Sequence, residues 1–421
     1  MARALASGFD LLRPPADFYV DPYPYYDALR SYEPLKRFAD GSYFLTRYED
    51  LIRVYRDTKT FSSDKKKEFL PKFGDSPLFE HHTTSLVFRD PPAHTRLRRL
   101  IAGALTPRHI AALEPGLTAL VERLLDAMAD KDVVDLIDDF AGAIPVEIIG
   151  NLLAVPHADR RPLRAWSLAI LGALEPSLGA EAAARGNAAV RDMLAYLETL
   201  VEERRAHPKD ADSDVLTRLI RGENDGERLT PRDLLHNCIF LLNAGHETTT
   251  NLIGNSLVTL LHWPSERQKL ISRPQAIDTA VEEFLRFESS NQLGNRITTQ
   301  RTTIGDAELA PETRIWLCIG AANRDPQKFP HPNRPDILRS PNRHLAFGSG
   351  PHQCVGLNLG RLEGRIAISR FLRRYPRYEF AGPAVRGGRI RFRGFLHVPC
   401  RLNPGGHGAA DHSHSDGGYE S

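Results

Sequence analysis

The chain has 421 residues, 41% hydrophobic and 26% charged, and its 55 Lys and Arg against 53 Asp and Glu leave a formal charge of +2. That mixture excludes disorder over most of the chain and the wholesale basic footprint of a protein that coats nucleic acid. Cys238, Cys318, Cys354 and Cys400 are far apart and form no C-x-x-C pair, which argues against a zinc knuckle, a redox dithiol or a disulfide framework.

The first fourteen residues carry only Phe9, Leu11 and Leu12 as an apolar patch. They offer neither the apolar middle of a signal peptide nor the run of about 20 residues of a membrane anchor, so a cytoplasmic protein without an anchor is expected. The stretches 41–46 and 301–318 are rich in β-branched and aromatic residues and punctuated by Gly, Pro and Asn, which predicts short strands. Between residues 107 and 261 apolar positions recur at helical spacing, as in Leu117, Leu120, Val121, Leu124 and Leu125. The expected architecture is a mostly helical body with small sheets attached.

The longest predicted helix starts where Thr230 can cap, Pro231 can fill the first turn and Asp233 can face the positive helix end, and it stops before Pro264. Its apolar residues lie on more than one face, which predicts passage through the interior. Residues 404–421, rich in Gly, His, Ser and Asp, read as a solvated, disordered tail in which His407, His412 and His414 are poor metal-site candidates.

Two segments carry chemistry. Midway along the long helix lies Ala244-Gly245-His246-Glu247-Thr248-Thr249-Thr250, where a helix built for stability alone would hold Ala or Leu. Threonine hydroxyls can bond back to the preceding turn and bend the helix, and Gly245 leaves room for a flat ligand; a harmless kink is the plainer alternative. A glycine-rich turn, Phe347-Gly348-Ser349-Gly350-Pro351-His352-Gln353-Cys354-Val355-Gly356, then delivers one cysteine to the start of an amphipathic helix containing Leu357, Leu359, Leu362, Ile366 and Phe371. Unpaired N–H groups and the helix dipole favour a thiolate there, whereas a lone cysteine is more often a buried apolar residue.

Phe-Gly-x-Gly-x-His-x-Cys-x-Gly at 347–356, Ala-Gly-x-Glu-Thr-Thr at 244–249 and Glu-x-x-Arg at Glu283 and Arg286, in this order, resemble the cytochrome P450 haem-thiolate monooxygenases of the soluble bacterial type. The likeness runs from Tyr23 through Phe61-Ser62-Ser63, Asp90-Pro91-Pro92-x-His94 and Asn323-Arg324-Asp325-Pro326 to about residue 402. It implies an N-terminal arm over 1–20, one large haem domain over 21–403 and the tail beyond. The haem would be sandwiched between the long central helix and the cysteine-loop helix.

By this resemblance Cys354 is the proximal ligand of haem b, and Glu247 with Thr248 holds bound O2 and relays protons. His94, Arg98, Arg296 and His352 contact the haem propionates, and Ala244, Gly245, Phe347, Gly348 and Gly356 complete the cofactor site. Glu283 and Arg286 are structural, joined by either Arg334 or Arg339, and His344 is a packing residue. The stretch 288–294 departs from the family in lacking the proline frequent after Glu-x-x-Arg, which leaves the pocket's shape open.

Pocket walls are expected from 65–88, from 166–190, from the helix near Ala244 and from 293–295, with Phe79, Leu174, Leu242 and Leu293 as substrate contacts. Their character implies a hydrophobic small organic substrate, while Lys65, Lys66, Lys67 and Lys72 can attract a carboxylate or form a solvated run. The chain carries no dinucleotide fingerprint and no iron–sulfur cysteine spacing, so two electrons would come from a ferredoxin or flavodoxin and its NAD(P)H reductase. That partner would dock on Arg339, Arg343, Arg361 and Arg365. The expected activity is monooxygenation; the alternatives are a peroxide-driven peroxygenase, which the Glu247 and Thr248 pair disfavours, and a non-catalytic haem sensor or carrier.

Overall fold

Thr230 accepts a hydrogen bond from the Asp233 N–H at 3.0 Å, and from that cap the helix Pro231–His262 runs for 32 residues. At 1.5 Å per residue it is about 48 Å long, enough to cross a domain of this size. The computed structural model describes residues 1–210, 214–221 and 229–403, so the expected tail over 404–421, with its histidines, lies outside the described residues.

Both predicted ends of this helix are observed: beyond His262 the chain turns at Trp263, and Pro264 opens the next helix, Pro264–Ser272. Leu234, Cys238, Ile239, Leu241, Leu252, Ile253, Leu257 and Leu260 are all buried, because helices pack on several sides. Those neighbours are Ala143–Leu152, Leu163–Gly172, Ala180–Ala206, Ile277–Phe287 and Leu357–Arg374. Each fully buried Leu or Ile in this core contributes roughly 1.5–3 kcal/mol.

A five-stranded sheet stands beside the helical body in the order Leu35–Arg37, Tyr43–Leu45, Arg314–Cys318, Leu293–Thr298, Phe61–Ser62. Only Tyr43–Leu45 and Arg314–Cys318 pair in parallel. The predicted strand segment 301–318 resolves into a hairpin, Thr302–Ile304 with Ala307–Leu309 around Gly305, followed by Arg314–Cys318. Within the strand Leu293–Thr298, Leu293 sits opposite Cys318 and Arg296 opposite Ile315, so this strand carries residues 293–296 along the edge of the site described below.

The first twenty residues fold onto the sheet. Phe9 packs its ring on Phe18, Tyr25 and Phe44, and Lys36 Nζ donates to the Ala6 carbonyl at 2.7 Å. Among the described residues no helix is long and apolar enough to cross a membrane.

Candidate active site

The cysteine turn takes its path from glycine. Gly348 and Gly350 have φ of +64° and +69°, in the left-handed region, and a Cβ on Gly350 would stand 2.5 Å from the Tyr55 carbonyl oxygen. The Cys354 N–H closes the turn on the Phe347 carbonyl at 2.8 Å, and Gly356, two residues on, leads into Leu357–Arg374; a Cβ on Gly356 would meet Cys354 Sγ at 4.0 Å. Cys354 is exposed, and the surface it shows lines a cavity of about 330 Å3. That surface faces the interior, so burial still raises its thiol pKa, opposed by the Gly356 N–H and by the positive charges of Arg98 and Arg361. Cys238, Cys318 and Cys400 are buried, and burial pushes their thiols to about 12, which leaves Cys354 as the accessible sulfur.

The same cavity is lined by Ala244, Gly245 and Thr248 of the central helix and by Phe347, Gly348, His352 and Gly356 of the turn. Residues 241, 244, 245 and 248 share one helical stripe by the i, i+3, i+4, i+7 rule, and Leu241 with the other three faces the cavity. Thr248 Oγ1 donates to the Ala244 carbonyl at 2.7 Å, and Ser290 Oγ donates to the Thr248 carbonyl at 2.8 Å, which ties the 288–294 stretch to the helix. A Cβ on Gly245 would come within 2.9 Å of Ile149 Cδ1, so this glycine also lets the helix Ala143–Leu152 approach.

One wall concentrates unsatisfied donors. His94 is buried with neither ring nitrogen bonded, its ring lies 3.9 Å from that of His352, and His352 Nε2 and Arg296 Nε likewise have no partner. Arg98 lines the same wall. Burial, then Arg98, lowers the His94 pKa to about 4; burial, then Arg296, His94 and Arg98, lowers that of His352 to about 2. The positive charges of Arg98 and Arg296, with a ring N–H from each neutral imidazole and the unpartnered Arg296 Nε, form a cluster that fits an anion. Cys354, a floor of small residues and this cluster together fit a flat haem bearing two carboxylates.

Other expected residues lie elsewhere. Glu247, one residue round the helix from Thr248, does not line this cavity: Arg389 Nη1 donates to its Oε1 at 2.6 Å beside a separate cavity of about 30 Å3. Its Oε2 is buried without a partner, and burial, opposed by Arg389, raises its pKa to about 7. Leu174 and Leu293 line the main cavity, but Leu242 turns into the helical core, and its neighbour Leu241 takes the wall position. Phe79 sits one layer behind, packed against the cluster of Phe69, Phe88, Leu171, Leu174 and Phe392.

Glu283 and Arg286 are fully buried and joined by two hydrogen bonds, Nη2 to Oε1 at 2.7 Å and Nε to Oε2 at 2.8 Å. The third member is Arg339, whose Nε lies 3.0 Å from Glu283 Oε2, while Arg334 supplies only its backbone carbonyl. Arg286 Nη1 donates to the Asn323 and Pro332 carbonyls, and Asn323 Oδ1 accepts the Leu345 N–H just before the cysteine turn. His344 packs beside Phe347 and lies 3.3 Å from Glu282.

The expected docking patch is largely neutralised by its own neighbours. Arg361 pairs with Glu282 at 2.7 and 2.8 Å, Arg365 with Glu114 at 3.2 Å, and Arg339 with Glu283, leaving Arg343 exposed. The lysine run divides: Lys66 and Lys67 are solvated, Lys65 is buried on Glu68 at 2.9 Å, and Lys72 Nζ donates to the Glu175 carbonyl at 2.6 Å.

Glu363 and Arg391, which also line the cavity, were not singled out from the sequence. Both left a trace: Glu363 interrupts an apolar helical face, and Arg391 belongs to the dense series Arg386, Arg389, Arg391, Arg393.

The family model Cytochrome P450 matches residues 174–378. The chain is 37% identical to the Vitamin D(3) 25-hydroxylase of Pseudonocardia autotrophica, covering 92% of this chain and 95% of that protein. It is 35% identical to the Biotin biosynthesis cytochrome P450 of Bacillus subtilis (strain 168), covering 87% and 92%. The crystal structure of P450BioI in complex with hexadec-9Z-enoic acid ligated acyl carrier protein superposes with a TM-score of 0.87 at 33% identity, over 92% of this chain and all of that one.

Proposed function

The chain belongs to the cytochrome P450 family of haem monooxygenases, and from that premise we propose that Cys354 would hold the iron of its haem and that the cavity Cys354 lines takes a hydrophobic organic substrate. The observation that carries the proposal is the accessible Cys354 sulfur on the wall that also gathers the unsatisfied donors of His94, Arg296 and His352. Bound haem supplies the activation of O2, and the rest falls to this chain's residues. His94, Arg98, Arg296 and His352 hold the two propionates, and that pairing offsets the cost of burying them. Ala244 and Gly245, small residues on the cavity-lining face of the central helix, would leave room there for a flat macrocycle. Thr248 lines the cavity, where its hydroxyl could pass a proton by exchanging its bond to the Ala244 carbonyl.

Glu247 is assigned the role of proton source behind Thr248, reached from the Arg389 side. Burial, opposed by Arg389, raises its pKa to about 7, which suits a group that accepts and releases a proton near neutral pH. Leu174, Leu293, Phe88 and Leu171 give the substrate side an apolar surface. Two relatives support the same class: one is named a vitamin D(3) 25-hydroxylase, and the other was crystallised in complex with a fatty-acid-ligated acyl carrier protein. Electrons are supplied by a ferredoxin or flavodoxin and its NAD(P)H reductase.

One observation favours a second reading, a peroxide-driven enzyme: the Glu247 carboxylate faces Arg389 and not the cavity. The two are separated by turnover of one apolar substrate with NAD(P)H, ferredoxin and reductase against turnover with hydrogen peroxide. Product with the electron-transfer proteins supports the monooxygenase route; efficient product with peroxide alone overturns it.

A further inference from the structure

The loop that closes the substrate side carries four arginines, and three of them are matched to a carboxylate. Arg386 and Arg393 meet Glu288, and Arg389 meets Glu247. Arg391 does not form an ion pair within 4.0 Å among the described residues. Its side chain lines the main cavity with 6% of its surface exposed, Nη1 donates to the Leu293 carbonyl at 3.1 Å, and Nε is buried with no hydrogen-bond partner. A buried guanidinium with an unsatisfied N–H is costly, so a native partner at that edge is expected.

The surroundings supply excess positive charge. Lys65 and Lys72 lie nearby: burial lowers the pKa of Lys65, opposed by Glu68 and reinforced by Arg296 and Arg391, and burial and then Arg391 lower that of Lys72, opposed by Glu68 and Glu175. The carboxylates that act on Arg391 are Glu175 and Glu68. Glu68 is spent on Lys65 at 2.9 Å, and Glu175 turns its oxygens to the backbone N–H groups of Ile390 and Arg391, which fixes the loop and leaves the guanidinium facing the cavity. Three cations therefore face two carboxylates. Beyond Arg391 the wall is apolar, with Phe392, Leu293, Leu174 and Phe88.

We infer that Arg391 anchors a carboxylate at one end of an otherwise apolar substrate. Its planar guanidinium matches a carboxylate in geometry as well as charge, which a solvated lysine run would not. The inference rests on the apolar-substrate reading above and sharpens it from a hydrophobic molecule to an apolar acid.

The test is calorimetric binding of decanoate and of decan-1-ol, equal in chain length and different only at the polar end, to the haem-loaded protein at neutral pH. Wild type should bind decanoate about tenfold or more tightly than the alcohol. Arg391→Gln should erase that gap by weakening decanoate alone, and Arg391→Lys should restore part of it. Equal affinity in wild type overturns the inference, and so does equal weakening of both probes in Arg391→Gln. The latter, accompanied by loss of haem, would place Arg391 at the cofactor. Should Arg391→Gln not fold, the wild-type gap and Arg391→Lys decide. Binding of the alcohol without preference for the acid overturns only this inference, whereas binding of neither probe removes the apolar-substrate reading with it.

Discussion

Glu283→Ala should be among the most damaging single substitutions outside the cavity. Glu283 Oε1 accepts from Arg286 Nη2 at 2.7 Å and the Asp336 N–H at 2.8 Å; Oε2 accepts from Arg286 Nε at 2.8 Å, Arg339 Nε at 3.0 Å and Asn342 Nδ2 at 3.0 Å. Removing it leaves one fully buried and one nearly buried guanidinium without a counter-charge, plus an unpaired backbone N–H. Breaking a buried pair from one side costs about 3–5 kcal/mol, a large share of a total stability of about 5–15 kcal/mol. The damage should spread to the cysteine turn through Arg286, Asn323 and Leu345. Urea unfolding and haem content of the purified variant measure both effects. Removing Arg361 from the half-exposed pair with Glu282 should cost no more than about 1 kcal/mol. A Glu283→Ala loss equally small, with normal haem content, would refute the reasoning.

Thr248→Val should fold normally, because the hydroxyl bonds only within its own helix, yet yield less product per electron consumed at unchanged substrate affinity; an unchanged yield would remove Thr248 from proton transfer. Arg389→Ala should raise the Glu247 pKa further above about 7, since Arg389 is what opposes burial, and move the alkaline limb of the pH–rate profile upward. An unmoved profile would separate Glu247 from the proton path. Burial raises the Glu363 pKa from 4.5 to about 8, with the Thr249 hydroxyl opposing. The folded state therefore keeps a proton that the unfolded chain has released, and between these two values stability should fall with rising pH by about 1.4 kcal/mol per pH unit from this group. Glu363→Gln should flatten that slope in thermal melts across the range, and an identical slope in both proteins would contradict it.

How much was legible in the sequence differs by kind of feature. The central helix was readable at both ends because its signals are local: a Thr cap, a first-turn proline and a stopping proline. The cysteine turn was readable because its glycines answer a backbone requirement, visible in the positive φ of Gly348 and Gly350. Side-chain direction was not. Glu247 and Thr248 are adjacent in sequence but about 100° apart around the helix, so the pair divides between two cavities. The substitution of Leu241 for Leu242 at the wall is the same angular error. The neutralisation of Arg361 and Arg365 was not readable, because Glu282 and Glu114 are partners 79 and 251 residues distant that spacing cannot reveal. Arg339 could be chosen over Arg334 only once the fold brought its guanidinium to Glu283. Arg391 escaped notice because its three companions look alike in sequence, and only their ion pairs set it apart.

The most direct test of the account is the absorption spectrum of the dithionite-reduced, carbon monoxide-bound protein for wild type and Cys354→Ala. The account predicts the strongly red-shifted Soret band of thiolate-ligated haem in wild type and its loss in the variant. A histidine-type band in wild type, or the red-shifted band persisting without Cys354, would contradict it.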